Sequence, residues 1–243
     1  MENLFLYTLN FSKWANSIYV NYQQNNWLLD PSLPITRERL VKHRKKLWKS
    51  LENHKSENIH CDLRRFRNSC MLSIMTRDYL QLSNLEENLS SISHLAELCI
   101  QSAINHSIFI ESKKYGVPKE NSGEVAELFI FAMGKLGGYE LNPASDVDLI
   151  FIHSDNGKTN PLVTDQEPIE NSLFFSKVIR RFTNILSLNT SDGYVFKVDL
   201  RLRPNGDFGP NSISVDALEK YLFSNASNWE RFAWIKSRII YAP

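Results

Sequence analysis

Two aspartates one residue apart, Asp146 and Asp148, stand at the head of an apolar run from Val147 to His153. On an extended strand alternate side chains share a side, so both carboxylates face the same way and repel each other unless cations lie between them. Hard oxygen ligands of this kind suit a divalent metal shared with substrate phosphates, here Mg2+ or Mn2+. Upstream lies Gly134-Lys135-Leu136-Gly137-Gly138, a turn that follows another short apolar run. Glycine lets backbone amides approach a phosphate and Lys135 adds positive charge, although tight turns also use glycine for steric reasons alone. A third carboxylate, Asp199, lies between Lys197 and Arg201 on the polar side of an alternating segment. Pairing with either neighbour on a solvated face would account for Asp199 by itself. Taken together, the glycine turn, the Asp-x-Asp strand and the third carboxylate fit two-metal transfer at a phosphorus centre. In that scheme Asp146 and Asp148 hold both ions, while Asp199 binds one and orients or deprotonates the attacking oxygen. Arg201 and Arg203 then neutralise phosphate oxygens at the rim, solvated strand ends being the other reading.

The elements that must position these groups change character along the chain. From Asp62 to Gln81 the apolar residues Leu63, Phe66, Cys70, Ile74 and Leu80 recur at helical spacing. Ser83 and Glu86 read as a capping box ahead of a second helix through Leu89, Ile92, Ala96, Cys99 and Ala103. The basic run from Arg37 to Lys49 reads as a solvated helix face, with an anionic partner as the alternative. Glycine, proline and asparagine between Tyr115 and Gly123 mark a linker. Beyond it the pattern is mixed: apolar strands at Leu128 to Met133 and Val147 to His153, and a helix between Pro168 and Leu188. Strict alternation follows from Gly193 to Pro204, with Tyr194, Phe196, Val198, Leu200 and Leu202 on the packed face. Two closing helices are expected at Val215 to Phe223 and Trp229 to Ile240. The fold class is therefore α+β, a helical amino-terminal region over 1–120 followed by an α/β part over 121–243.

Longer strings carry a family resemblance. The Leu-Gly-Gly of 136–138, a seven-residue spacer and Asp146-x-Asp148 resemble the nucleotidyltransferase superfamily related to DNA polymerase beta. GKLGGYELNPASDVDLIF (134–151), VDLRLRPNGDFGP (198–210), NWERFAWIKSRI (228–239) and LRRFRNSCMLSIMTRDYLQL (63–82) resemble the glutamine synthetase adenylyltransferase/adenylyl-removing enzymes. The resemblance implies a polymerase beta-like catalytic domain over 121–243, a small mixed sheet flanked by helices. It implies Asp146, Asp148 and Asp199 as metal-binding and catalytic carboxylates, and Gly137 and Gly138 in the nucleotide-binding turn. Lys135, Arg201 and Arg203 match the same motifs as nucleotide or phosphate contacts. That family joins two such domains, one removing AMP from an adenylylated tyrosine of glutamine synthetase by phosphorolysis to ADP, the other adding AMP from ATP. Position in the chain and the strings GYVFKVDLRLRPNGDFGP (193–210) and NWERFAWIKSRI (228–239) look more like the removing half, with glutamine synthetase, ATP/ADP, phosphate and the PII signal protein as expected partners and nitrogen metabolism as the setting. The family's helical regulatory region and second catalytic domain are not expected within these 243 residues. Transfer of AMP from ATP to a protein, and a shortened chain that binds nucleotide or glutamine synthetase without turnover, are the alternatives.

Composition narrows the remaining classes. Lys and Arg number 28 against 27 acidic residues, a net charge of +1 that gives no global drive toward nucleic acid or an anionic membrane. No window approaches the ~18 apolar residues of a membrane span, and a cytoplasmic location is expected. Cys61, Cys70 and Cys99 form an odd set without paired spacing, so neither a disulfide framework nor a zinc site is expected, and the group His54, His60 and Cys61 lacks a fourth ligand.

Overall fold

The computed structural model describes residues 3–52, 56–161 and 166–242, so His54 lies outside the described residues. Capping side chains start several of the amino-terminal helices. α1 (Phe5–Leu9) is followed by α2 (Lys13–Gln23), where the Ser12 side chain accepts from the Ala15 amide. α3 (Arg37–Leu47) begins on Thr36 in the same manner, and α4 (Lys49–Glu52), α5 (Ile59–Tyr79) and α6 (Leu85–Tyr115) complete the region. The cap of α6 falls one residue later than expected: the Asn84 side chain accepts from the Glu87 amide at 2.8 Å, and Ser83 bonds to Asn88 instead. Asparagine and serine cap about equally well, so local sequence does not separate the two registers. The basic run forms α3, and two of its arginines serve the fold. Arg39 donates to the carbonyls of Asp30, Leu33 and Pro34, and Arg44 to Leu98 and Ser102.

Gly116 ends α6 at φ +84°, and a Cβ there would lie 2.1 Å from the Asn160 carbonyl oxygen. The chain then runs through β1 (Val117–Pro118), β2 (Leu128–Ala132), α7 (Gly134–Gly137), β3 (Val147–His153) and β4 (Thr159–Asn160). It continues through α8 (Asn171–Ser187), β5 (Val198–Asp199), β6 (Ser212–Ser214), α9 (Val215–Ser224), α10 (Asn228–Ala233) and β7 (Arg238–Tyr241). The main sheet has the order β5-β3-β2-β7, with β6 also beside β3. β2 is antiparallel to β3 and β7, whereas β3 is parallel to β5 and β6, so the sheet is mixed and the chain α+β as expected. β1 and β4 form a separate antiparallel pair.

Two expected elements differ. The helix expected from Trp229 to Ile240 stops at Ala233; a 3-10 turn, Trp234–Lys236, then leads into β7, whose Ile239, Ile240 and Tyr241 suit a strand and find β2 as partner. The alternation from Gly193 to Pro204 yields only the two-residue β5. Val195 and Phe196 are consecutive and both buried. Past Asp199 the chain coils, because Arg203 donates to the carbonyls of Leu200, Asp207 and Gly209.

From Leu149 to Ile152 β3 is apolar because both its faces are covered. Leu149 and Phe151 join one continuous buried cluster with Phe66, Leu95, Cys99 and Ile104 of the helices, Ile130 of β2 and Phe174 and Phe182 of α8. Ile150 and Ile152 point the other way, to Met133 and Leu218. Arg64 of α5 is fully buried and bonds to the carbonyls of His60, Ile185, Leu188 and Gly193, tying the helical region to the segment that enters β5. The three cysteines are free thiols. Among the described residues no helix is long and apolar enough to cross a membrane.

Candidate active site

Parallel pairing of β3 with β5 sets Asp148 directly beside Asp199. Partners in register on neighbouring strands point to the same face, and Asp146 precedes Asp148 by one full pleat, so all three carboxylates face one side of the sheet edge. Their proximity is visible in the Asp148 carboxyl, which is held above the ordinary carboxylate range. Burial is the first cause, followed by the charges of Asp199 and then Asp146, with Arg201 and Lys135 opposing them. Asp199 is displaced the other way, because Arg201 hydrogen-bonds to it. Arg201 donates from Nη2 to Oδ2 at 2.5 Å and from Nε at 2.9 Å, and its own amide donates to Oδ1 at 2.8 Å. The Arg201 side chain is 73% exposed against 14% for Asp199, so water already solvates the cation and its departure uncovers little.

The glycine turn takes a form that its sequence did not specify. It is the single helical turn α7, closed by hydrogen bonds from the Gly137 amide to the Met133 carbonyl and from the Gly138 amide to that of Gly134. Those two amides are therefore engaged inside the turn. Gly137 is buried, and a Cβ on it would lie 2.0 Å from the carbonyl oxygen of Lys236, so its smallness seats the turn against the approach to β7. The glycine nearest the carboxylates is Gly134, at φ +56° in the left-handed region, where a Cβ would stand 3.1 Å from Asp148 Oδ2. Any larger residue there crowds the carboxyl. Lys135 is exposed and points toward the loop before Asp146, its Nζ 3.4 Å from Ser145 Oγ. Arg203 is committed to its own loop through the three carbonyls named above and lies 3.8 Å from Asp207.

Two arginines that position the site were not singled out by the sequence. Arg238 of β7 pairs with Glu97 of α6 at 2.7 Å, lies 3.6 Å from the Tyr139 ring centroid and donates to the carbonyls of Leu136 and Gly137. It clamps α7 between helix and sheet. Arg64 does the same for the entrance to β5. Their partners come from remote parts of the chain, so only a cation within an expected helix was visible.

Among the described residues no three His, Cys, Asp or Glu side chains converge closely enough to grip a metal ion as they stand, and the Asp199 carboxylate is engaged by Arg201. In kind the donors fit a hard divalent cation: three carboxylates on one face, one of them carrying the repulsion of the other two.

The glutamate-ammonia ligase adenylyltransferase family profile matches residues 6–243. The chain belongs to this family. It is 44% identical over 179 residues to a bifunctional glutamine synthetase adenylyltransferase/adenylyl-removing enzyme of Chromobacterium violaceum, covering 73% of this chain and 20% of that protein. Identity is 42% over 182 residues to the protein of the same name from Ralstonia nicotianae, covering 74% of this chain and 19% of the relative. For the Nitrosomonas eutropha protein it is 41% over 186 residues, with shares of 75% and 20%. The chain thus spans about a fifth of the length of the relatives it matches.

Proposed function

We propose that this chain carries a nucleotidyl-transfer site that removes AMP from an adenylylated tyrosine of glutamine synthetase by phosphorolysis. The observation that carries the reading is the register of Asp148 against Asp199 with Asp146 one pleat away. The names of the relatives point to the substrate class. The likeness of the strings at 193–210 and 228–239 to the removing half favours this direction.

In this reaction an oxygen of inorganic phosphate attacks the phosphorus of the AMP group. The new P–O bond makes ADP, the bond to the tyrosine oxygen breaks, and the phenolate takes up a proton. A bound Mg2+ or Mn2+ would supply positive charge to the phosphoryl oxygens and align attack with departure. Asp146, Asp148 and Asp199 would hold it. Asp199 is available once Arg201 leaves its carboxylate, and Arg201 then turns its guanidinium toward phosphate oxygens, a better partner for a planar fork than solvent. Lys135, across the carboxylates, contributes a second exposed cation. Gly134 keeps the space beside Asp148 Oδ2 clear.

The test is ADP release from adenylylated glutamine synthetase in phosphate and Mg2+, with Asp148→Asn as control. ADP formed by the parent and not by the variant supports removal. Label transferred from ATP onto glutamine synthetase would reverse the direction, and metal-dependent nucleotide binding with neither product would make the chain a binding module.

A further inference from the structure

Arg67 follows Arg64 by three residues on α5, yet the two guanidiniums are treated in opposite ways. Arg64 spends its N–H groups on four carbonyls. Arg67 makes one hydrogen bond, from Nη1 to Asn68 Oδ1 at 3.0 Å, and its Nε is buried without an acceptor. Among the described residues no carboxylate stands within ion-pair distance of it. Aromatic rings flank it instead, with the Trp14 centroid 5.9 Å and the Phe196 centroid 5.7 Å from the guanidinium carbon. Burial draws its pKa below the ordinary guanidinium value, the mark of a desolvated charge. A half-buried cation given no counter-ion is costly, and an anion that reaches it relieves that cost.

Arg67 lines an open cleft of about 350 Å³. Trp14, Met71, Met75 and Tyr194 give the cleft a largely apolar wall, and Pro143 closes one side. Asp192 also lies on the wall, but its charge acts on Arg64, and its backbone carbonyl accepts from Asn68 Nδ2 at 3.1 Å. A volume of that size is at the lower end for small-molecule sites, enough for one ring and an acid group.

We propose that this cleft binds a small organic anion, a carboxylate or phosphate ester with a flat apolar body, its acid group on Arg67 and its body against Trp14, Tyr194 and the two methionines. The site is separate from the three aspartates and does not depend on the reaction assigned to them. Its occupant would touch Pro143 and Tyr194, which lead into Asp146 and Asp199 respectively.

Isothermal titration of the whole chain in EDTA, which removes any metal-bridged binding at the carboxylates, tests this with benzoate and phenyl phosphate as probes and neutral benzamide as control. At least one anion is expected to bind at a single saturable site, with benzamide weaker by at least about tenfold. Arg67→Met keeps the aliphatic stem between the rings and removes the charge, and is expected to weaken binding by a similar factor. Asn189→Trp narrows the exposed rim without altering Arg67 or the core, and should do the same. The tighter of the two anions distinguishes a carboxylate site from a phosphate site. Failure of both anions to bind at roughly 10 mM, equal binding of benzamide, or parental affinity in Arg67→Met overturns the proposal. If circular dichroism shows that Arg67→Met does not fold, Asn189→Trp decides, and parental affinity there overturns it too.

Discussion

The Asp148 carboxyl is half-buried beside two groups of its own charge, so the folded chain holds it more easily protonated than the unfolded chain does. Its ordinary pKa is 3.8, and the folded value lies above that. The sign follows from linkage: stability contributed by this group is complete below pH 3.8 and is lost as pH rises through the folded value. Asp148→Asn removes the ionisation. We expect turnover to fall by at least about a hundredfold, because the site loses a carboxylate that the proposed chemistry needs. Stability at neutral pH should stay level or increase. In metal-free urea melts, the difference between variant and parent should widen as pH rises above 3.8 and then level off. A variant less stable than the parent at every pH would mean that Asp148 is favourably paired in the fold and that the repelling trio is wrong. Asp199 behaves oppositely, since Arg201 lowers its pKa; its contribution is present above 3.8 and fades as pH falls through its depressed value. Spacing alone put Asp146 and Asp148 on one side. The meeting of Asp148 with Asp199 was not contained in it, because register between strands is set by the packing of both.

At the scale of elements, legibility followed burial pattern. β3 was readable because both its faces are buried and Leu149 to Ile152 form an apolar run, and α5, α6 and α8 because their apolar stripes repeat over many turns. β7 and the coil after Asp199 were not readable. The first depends on a partner, β2, more than a hundred residues earlier, and the second on Arg203 gathering carbonyls from its own loop. Gly137 shows the same limit: its sequence context suggested a phosphate turn, while its packing shows contact with the Lys236 backbone. Gly137→Ala should therefore destabilise by about 1 to 3 kcal/mol in thermal or denaturant unfolding, since neither backbone can yield cheaply. A neutral effect would show that α7 and the segment before β7 move apart freely. α3 offers a pH-dependent counterpart. His43 lies between α3 and α5, 3.2 Å from Ser69 Oγ, and burial pulls its pKa from 6.5 to about 4. The fold keeps the imidazole neutral while the unfolded chain protonates it near 6.5, so stability is full above that pH and declines as pH falls toward 4. The total is about 3 kcal/mol at 1.36 kcal/mol per pH unit. His43→Gln should flatten that part of the stability profile.

For the molecule as a whole, the question is whether the sheet with its carboxylates stands without the helices. The expected division at residue 120 follows a real change in pattern, yet the buried cluster crosses it. Leu95, Cys99 and Ile104 of α6 lie in the same core as Leu149 and Phe151 of β3 and Phe174 and Phe182 of α8. Arg64 adds three hydrogen bonds from α5 to the carbonyls of Ile185, Leu188 and Gly193. Removing residues 1–120 would expose one face of β2, β3 and α8 together and leave the Ile185, Leu188 and Gly193 carbonyls without Arg64. Burial of each large apolar side chain is worth about 1.5–3 kcal/mol, so the loss over several such residues exceeds the ~5–15 kcal/mol by which a domain is stable. A chain of residues 121–242 is therefore expected to melt without a sharp transition and to bind a hydrophobic dye. The intact chain should unfold in one cooperative step, followed by circular dichroism and tryptophan fluorescence together. A sharp, parental melting curve for 121–242 would show instead that the carboxylate-bearing sheet folds alone and that the helices are an appended layer. In that event the expected boundary would mark a true domain, and the cleft at Arg67 would lie between two bodies free to shift against each other.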